Sequence, residues 1–137
     1  MIQKLLICDS QGYPFYSRDF DNEIPKVDQA LLSGLISTIG TLGRQLFKKD
    51  IANISFGSGY DEAHIFIVTK EILFKQKSIY FIFFMKGQCD VKLVKDISTT
   101  IFIENKNILK NSDQFSIQIE QKVDAIINHK FNGLKEC

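Results

Sequence analysis

The chain has 137 residues, of which 45% are hydrophobic and 24% charged, and 17 basic residues against 16 acidic ones leave a net charge of +1. A chain of this length and composition can bury roughly two-thirds of its unfolded surface, which excludes a disordered chain and reads as one domain over residues 1–137. No basic or acidic tract stands out, so capture of nucleic acid or of an anionic membrane by charge is not the expected role.

Residues 2–8 are mostly apolar and read as a buried strand. Asp9-Ser10-Gln11-Gly12 is a run of turn formers, and residues 14–20 read as the second strand of a hairpin. Pro14, Arg18 and Asp19 suit an edge, because proline cannot donate to a ladder and charges discourage further pairing. After a short polar connection, a helix is expected from Val27 or Asp28 to Phe47. Asp28 is placed to cap it or to serve as an acid in its first turn, and Lys48-Lys49 fall where a helix C-terminus favours cations.

Three runs rich in β-branched and aromatic residues follow, at 51–56, at 63–69 with an irregular continuation through Ile72-Leu73-Phe74, and at 79–86. The last is apolar at every position from Ile79 to Met85, so it belongs at the centre of a sheet covered on both faces. From Asp90 the period changes: Val94, Ile97, Ile101 and Ile108 mark a helix ending near Lys110. Asn111-Ser112-Asp113 breaks the chain, and Phe115, Ile119, Val123, Ile126 and Ile127 mark a third helix ending near Asn132-Gly133.

The longest uncharged apolar run, residues 79–85, is far shorter than the roughly 20 residues of a membrane span. The N-terminus enters its first strand without a small-residue cleavage site, so no signal peptide is expected. Cys8, Cys89 and Cys137 are an odd number at wide spacing, which matches no disulfide framework or zinc pattern and makes a reducing, cytoplasmic setting the expectation.

The element order is therefore β-β-α-β-β-β-α-α. An α+β fold satisfies it, with a five-stranded antiparallel sheet in the order 2-1-5-4-3, one helix on one face and two on the other. This order resembles the longin fold, whose relative, the roadblock fold, carries a helix first. The residues carry the resemblance as well. Leu5-Leu6-Ile7-Cys8-Asp9-Ser10-Gln11-Gly12-Tyr13-Pro14-Phe15-Tyr16-Ser17 is similar to the opening hairpin of archaeal-type longin-like and roadblock-like proteins, in which an apolar strand runs into Asp-x-x-Gly-x-Pro and an aromatic. Leu31-Leu32-Ser33-Gly34-Leu35-Ile36-Ser37 resembles the start of their first helix, and Ile101-Phe102-Ile103-Glu104-Asn105 the end of their second.

The resemblance implies a non-enzymatic module without a cofactor, acting in vesicle-trafficking complexes or as a platform or regulator for a small GTPase. It also implies a homodimer or heterodimer, cytoplasmic and reaching membranes through partners. No heptad coiled coil or anchor follows the third helix, which disfavours the fusion branch of the family and favours a stand-alone scaffold. The competing expectation is a small-molecule sensor module of a related sandwich fold, which an internal polar pocket would favour.

Catalytic and metal constellations are hard to assemble. His64 opens a strand and His129 closes the last helix, so they share no evident site, and Asp61-Glu62 beside His64 matches no zinc or calcium spacing. Phe56-Gly57-Ser58-Gly59-Tyr60-Asp61 lacks the Lys-Ser/Thr of a phosphate-binding loop and reads as a strand connection. Cys8 reads as a small core residue.

The first helix is the unusual feature, because residues 29–43 carry no charge. Its apolar stripe of Leu32, Leu35, Ile36, Ile39, Leu42, Leu46 and Phe47 is expected to face the sheet. The opposite arc then carries Ser33, Gly34, Ser37, Thr38 and Thr41, flanked by Gly40. Either the helix is simply short of charges, or this arc is an interface that another backbone approaches closely. On the second reading Arg44 and the neighbouring edge strand, with Asn53 and Ser55, complete the interface, Gln29 and Gln45 join its rim, and Ser37→Arg or Thr41→Glu yields folded monomers.

Overall fold

The computed structural model describes residues 2–57, 62–72, 77–87, 90–111 and 117–130. β1 (Ile2–Asp9) turns into β2 (Pro14–Asp19), and α1 (Gln29–Phe47) follows. The meander β3 (Asn53–Phe56), β4 (Ala63–Ile72) and β5 (Lys77–Lys86) comes next, then α2 (Val91–Asn111) and α3 (Ile117–His129). The five strands form one antiparallel sheet in the order β2-β1-β5-β4-β3, the longin-like α+β arrangement expected from the sequence.

The element bounds differ from the pattern where pairing decides them. β4 runs on to Ile72 because its ladder with β5 continues through Lys70↔Ile79, Glu71↔Ser78 and Ile72↔Lys77. β3 begins only at Asn53, because its ladder with β4 starts at Asn53↔Phe66. Ser58, Gly59, Tyr60, Asp61, Leu73, Phe74, Cys89, Ser112, Asp113, Phe115, Asn132, Gly133 and Cys137, all used in the sequence reading, lie outside the described residues.

The period of two in β1 and β5 builds two cores. Leu5 and Ile7 of β1, with Ile79, Phe81, Phe83 and Met85 of β5, face Val94, Ile97 and Ile101 of α2 and Ile119, Val123 and Ile127 of α3. Leu6 and Cys8, with Tyr80 and Ile82, face Ile36 of α1 across the other side of the sheet. The register aligns these sets, pairing Leu5 with Phe83, Leu6 with Ile82 and Ile7 with Phe81. The doubly apolar β5 thus lies between β1 and β4 with helices over both faces, as its composition requires.

Polar contacts fix the layers. Tyr16 Oη on β2 donates to Asp124 of α3, which Arg18 Nη1 also approaches at 3.4 Å. Lys130 Nζ meets Asp96 of α2 at 2.6 Å. Among the described residues no helix is long and apolar enough to cross a membrane.

Candidate partner interface

Local chemistry sets the ends of α1. Asp28 Oδ1 accepts from the Leu31 N–H at 3.0 Å, and the Asp28 carbonyl accepts from Leu32 at 3.1 Å. At the other end Lys48 turns left-handed at φ 57°, and its N–H returns to the Arg44 carbonyl at 3.0 Å. Between these caps lies a rod about 28 Å long.

The β1–β2 turn is the seat on which this rod rests. Asp9 Oδ1 accepts from the backbone N–H of Gln11 and of Tyr13, each at 2.9 Å, and Gly12 takes φ 88°. The turn thereby offers two carbonyls to α1. Ser33 Oγ donates to the Gly12 carbonyl at 2.6 Å, and Ser37 Oγ donates to the Ser10 carbonyl. A Cβ on Gly12 would stand 3.0 Å from the Gly34 Cα, and a Cβ on Gly40 would stand 2.8 Å from Tyr80 Oη. The helix sits this close only because its facing residues are small.

This geometry corrects the expected orientation of α1. Ser33, Ser37 and Gly40 are buried against the turn and the sheet and do not line an outer surface. Only Ile36 of the expected apolar stripe is fully buried, while Leu32 and Ile39 are half-buried. Leu35, Leu42, Leu46 and Phe47 face outward. The physical reason is proximity: with the turn backbone and Tyr80 in contact, the inner arc has room for hydroxyls and glycine but not for four leucines. Ser37→Arg would drive a charge into that contact, so it tests α1 docking and not a surface.

The outward arc is an apolar stripe. Leu31, Leu35, Leu42 and Leu46 are 68%, 55%, 52% and 64% exposed, and they recur at the steps of one helix face. Thr38 and Thr41 flank them, with hydroxyls turned back onto the Gly34 and Ser37 carbonyls at 2.9 and 3.0 Å. Donors satisfied within the helix leave this face dry in character. Leu35, Leu42 and Leu46 were expected against the sheet because a helical wheel gathers Leu31, Leu32, Leu35, Ile36, Ile39, Leu42 and Leu46 into one broad apolar arc and does not say which part of it meets the sheet. The available signal was the absence of charge on every side of residues 29–43, which fits a helix that buries two faces.

The remaining candidates divide. Gly34 is half-buried, and Thr38 and Thr41 are exposed. Arg44 is tied down, with Nε on Asp50 Oδ1 at 2.8 Å, Nη2 on Ser78 Oγ at 3.3 Å, and the guanidinium over the Tyr80 ring at 5.8 Å. Asn53 and Ser55 are exposed on β3, which pairs with β4 along one side only, and Phe56 ends the strand 55% exposed. Ile51 and Ile54 pack on the α1 side of the sheet, against the cluster that holds Ile36 and Leu32.

On the opposite face of β3 and β4, Asn53 Nδ2 donates to Ser55 Oγ at 3.1 Å. Ser55 Oγ lies 3.1 Å from His64 Nδ1, whose Nε2 is 3.3 Å from Glu62 Oε2. The order hydroxyl, imidazole, carboxylate is that of an activated nucleophile. Here Ser55 is exposed on an edge strand directly opposite His64 in the ladder, and the chain of contacts links the two strands. Cys8 is buried, and burial, followed by the nearby Asp9, pushes its thiol up to about 12, so it stays protonated and unreactive. Among the described residues no group of three or more His, Cys, Asp or Glu side chains could hold a metal ion.

Comparison with known proteins yields distant likenesses. MglB of Myxococcus xanthus aligns with a TM-score of 0.49 and 15% identity, covering 81% of this chain and 85% of that one. The gliding protein MglB from Thermus thermophilus aligns at 0.40 and 11%, over 61% of each chain. An MglB with a tetrameric arrangement aligns at 0.38 and 11%, over 61% of this chain and 60% of that one. No protein-family model matches the chain, and no curated protein does. The fold assignment stands on the chain's own element and strand order.

Proposed function

We propose that the chain is a single-domain, non-enzymatic scaffold that forms a dimer through α1 and β3 and offers the paired surface to a small GTPase or a trafficking-type complex. The observation that carries the dimer is the stripe of four exposed leucines on α1, and the open edge of β3 offers a second surface. A two-fold axis at that edge, perpendicular to the sheet, would pair β3 antiparallel with its copy, extend the sheet and keep both α1 helices on the same face. The β2 edge is a poorer surface for this, with Pro14 in the strand and Arg18 and Asp19 at its end.

The GTPase part of the reading rests on the resemblance of the opening hairpin and first helix to longin-like and roadblock-like proteins, and on nothing catalytic. The scaffold is cytoplasmic and reaches membranes through its partners. It holds a GTPase or biases its nucleotide state without supplying an arginine finger, consistent with the engagement of Arg44 by Asp50 and Ser78. The test is calorimetric titration of the dimer against GDP- and GTP-loaded small GTPases from the same organism. Micromolar binding to one of them in a preferred nucleotide state supports the reading. No binding across the set overturns the GTPase assignment and leaves the dimer to be judged separately.

A further inference from the structure

A cleft of about 460 Å³ opens between α2 and α3, on the side of the sheet opposite α1. Its size lies within the roughly 300–1,000 Å³ range of small-molecule sites. Thr100, Glu104 and Asn105 of α2 line it, with Lys122, Ala125, Ile126 and His129 of α3 and Lys130 just past that helix's end.

Asn105 is the deepest of these, only 1% exposed. Its Nδ2 donates to the Ile101 carbonyl at 2.9 Å, which sets the orientation of the carboxamide, because a flip would bring two oxygens together. Its Oδ1 has no hydrogen-bond partner among the described residues. Buried acceptors without partners are rare in native proteins, and each one calls for an explanation. What this acceptor lacks is a donor, an N–H or O–H; the oxygen is sealed from solvent, so a ligand in the cleft reaches it only when the side chains around it give way.

The other lining residues define the rest of the occupant. Ala125 and Ile126 provide an apolar wall, and Ile126 packs against the core. With His129 counted neutral, the formal charges at the rim sum to zero: Glu104 offsets Lys122 in number, and Lys130 is held by Asp96 at 2.6 Å. Such a site has no net charge to reward an anion or a cation. We propose that the α2–α3 cleft binds a small uncharged heterocycle or cyclic amide that donates an N–H to Asn105 Oδ1 and lays its apolar face on Ala125 and Ile126. This is a ligand site on the far side of the sheet from the α1 interface, and it holds or fails independently of the dimer.

Pairs of probes that differ only by the donor provide the test. Theophylline and uracil carry the N–H, while caffeine and 1,3-dimethyluracil replace it with N–CH₃. Each is titrated at millimolar concentration into the isotopically labelled full chain, with the Asn105 side-chain amide and the α2 and α3 backbone amides followed by NMR. The N–H members should shift the Asn105 amide and bind at least about tenfold tighter than their methylated partners. Asn105→Leu should abolish that preference. Ala125→Trp, which fills the cleft and leaves residue 105 as asparagine, should abolish binding in a chain of unchanged fold. Equal affinity within both pairs, or no binding by either N–H probe, overturns the proposal, as does tight binding that survives Ala125→Trp.

Discussion

Leu42→Glu is the sharpest perturbation of the proposed α1 interface. Burying a leucine fully is worth about 1.5–3 kcal/mol. Leu42 is 52% exposed in the isolated chain, so about half of that, about 1 kcal/mol or somewhat more, remains to be gained when a partner covers it. A two-fold axis makes every substitution count twice, so lost burial alone removes about 2–3 kcal/mol of dimer stability. The glutamate adds the cost of desolvating a carboxylate at the contact, which is several kcal/mol when no cation meets it. The dissociation constant should therefore rise by at least about 30-fold. The monomer itself should barely change, because the position faces outward and glutamate forms helix almost as well as leucine. Sedimentation equilibrium measures the dimer and urea unfolding measures the monomer. A wild-type chain that stays monomeric at high micromolar concentration would refute the interface, and so would a Leu42→Glu chain that dimerises as tightly as wild type. Ser37→Arg supplies the contrast, since it should destabilise the fold itself by undocking α1 from the Ser10 carbonyl.

The same exchange should act with opposite sign at two glycines of α1. Gly34→Ala meets nothing within 4 Å among the described residues and should stabilise by about 0.5–1 kcal/mol through helix propensity, whereas Gly40→Ala sets a Cβ 2.8 Å from the buried Tyr80 hydroxyl and should destabilise by about 1 kcal/mol or more, both read from urea midpoints. Tyr16→Phe removes the bond from β2 to Asp124 on α3 and should cost about 1 kcal/mol, with a double-mutant cycle against Asp124→Asn showing coupling of similar size. The Cys8 thiol stands at about 12 in the folded chain against 9.0 as the ordinary value. Between those two pH values the unfolded thiol ionises while the folded one stays protonated, so this group's contribution to stability is intact below pH 9 and declines as pH rises. Cys8→Ala should make the alkaline loss of stability shallower than in wild type, and an alkylating reagent at pH 8 should label Cys8 only in the unfolded chain.

The architecture was legible in the sequence because its signals are local or nearly so. The turn run from Asp9 to Gly12 announced the hairpin, the unbroken apolar run from Ile79 to Met85 placed β5 at the centre, and the change of period after Asp90 marked the helical layer. Asp28 as the cap of α1 followed from side-chain chemistry alone. The sequence also determined that α1 is free of charge over residues 29–43, and that was its clue to the proposed interface. Which arc of α1 faces the sheet was decided only in three dimensions. The distance between helix and sheet is set by the β1–β2 turn and by Tyr80, elements separated from α1 by many residues, and neither hydropathy nor a helical wheel contains that distance. At the observed distance, serine and glycine fit inward and give the Gly12 and Ser10 carbonyls their donors, so the leucines turn outward. The cleft at Asn105 was likewise invisible along the chain. Sequence showed a polar residue near the end of a helix, but only the packing of α3 against α2 buries its carboxamide and leaves one oxygen without a donor among the described residues.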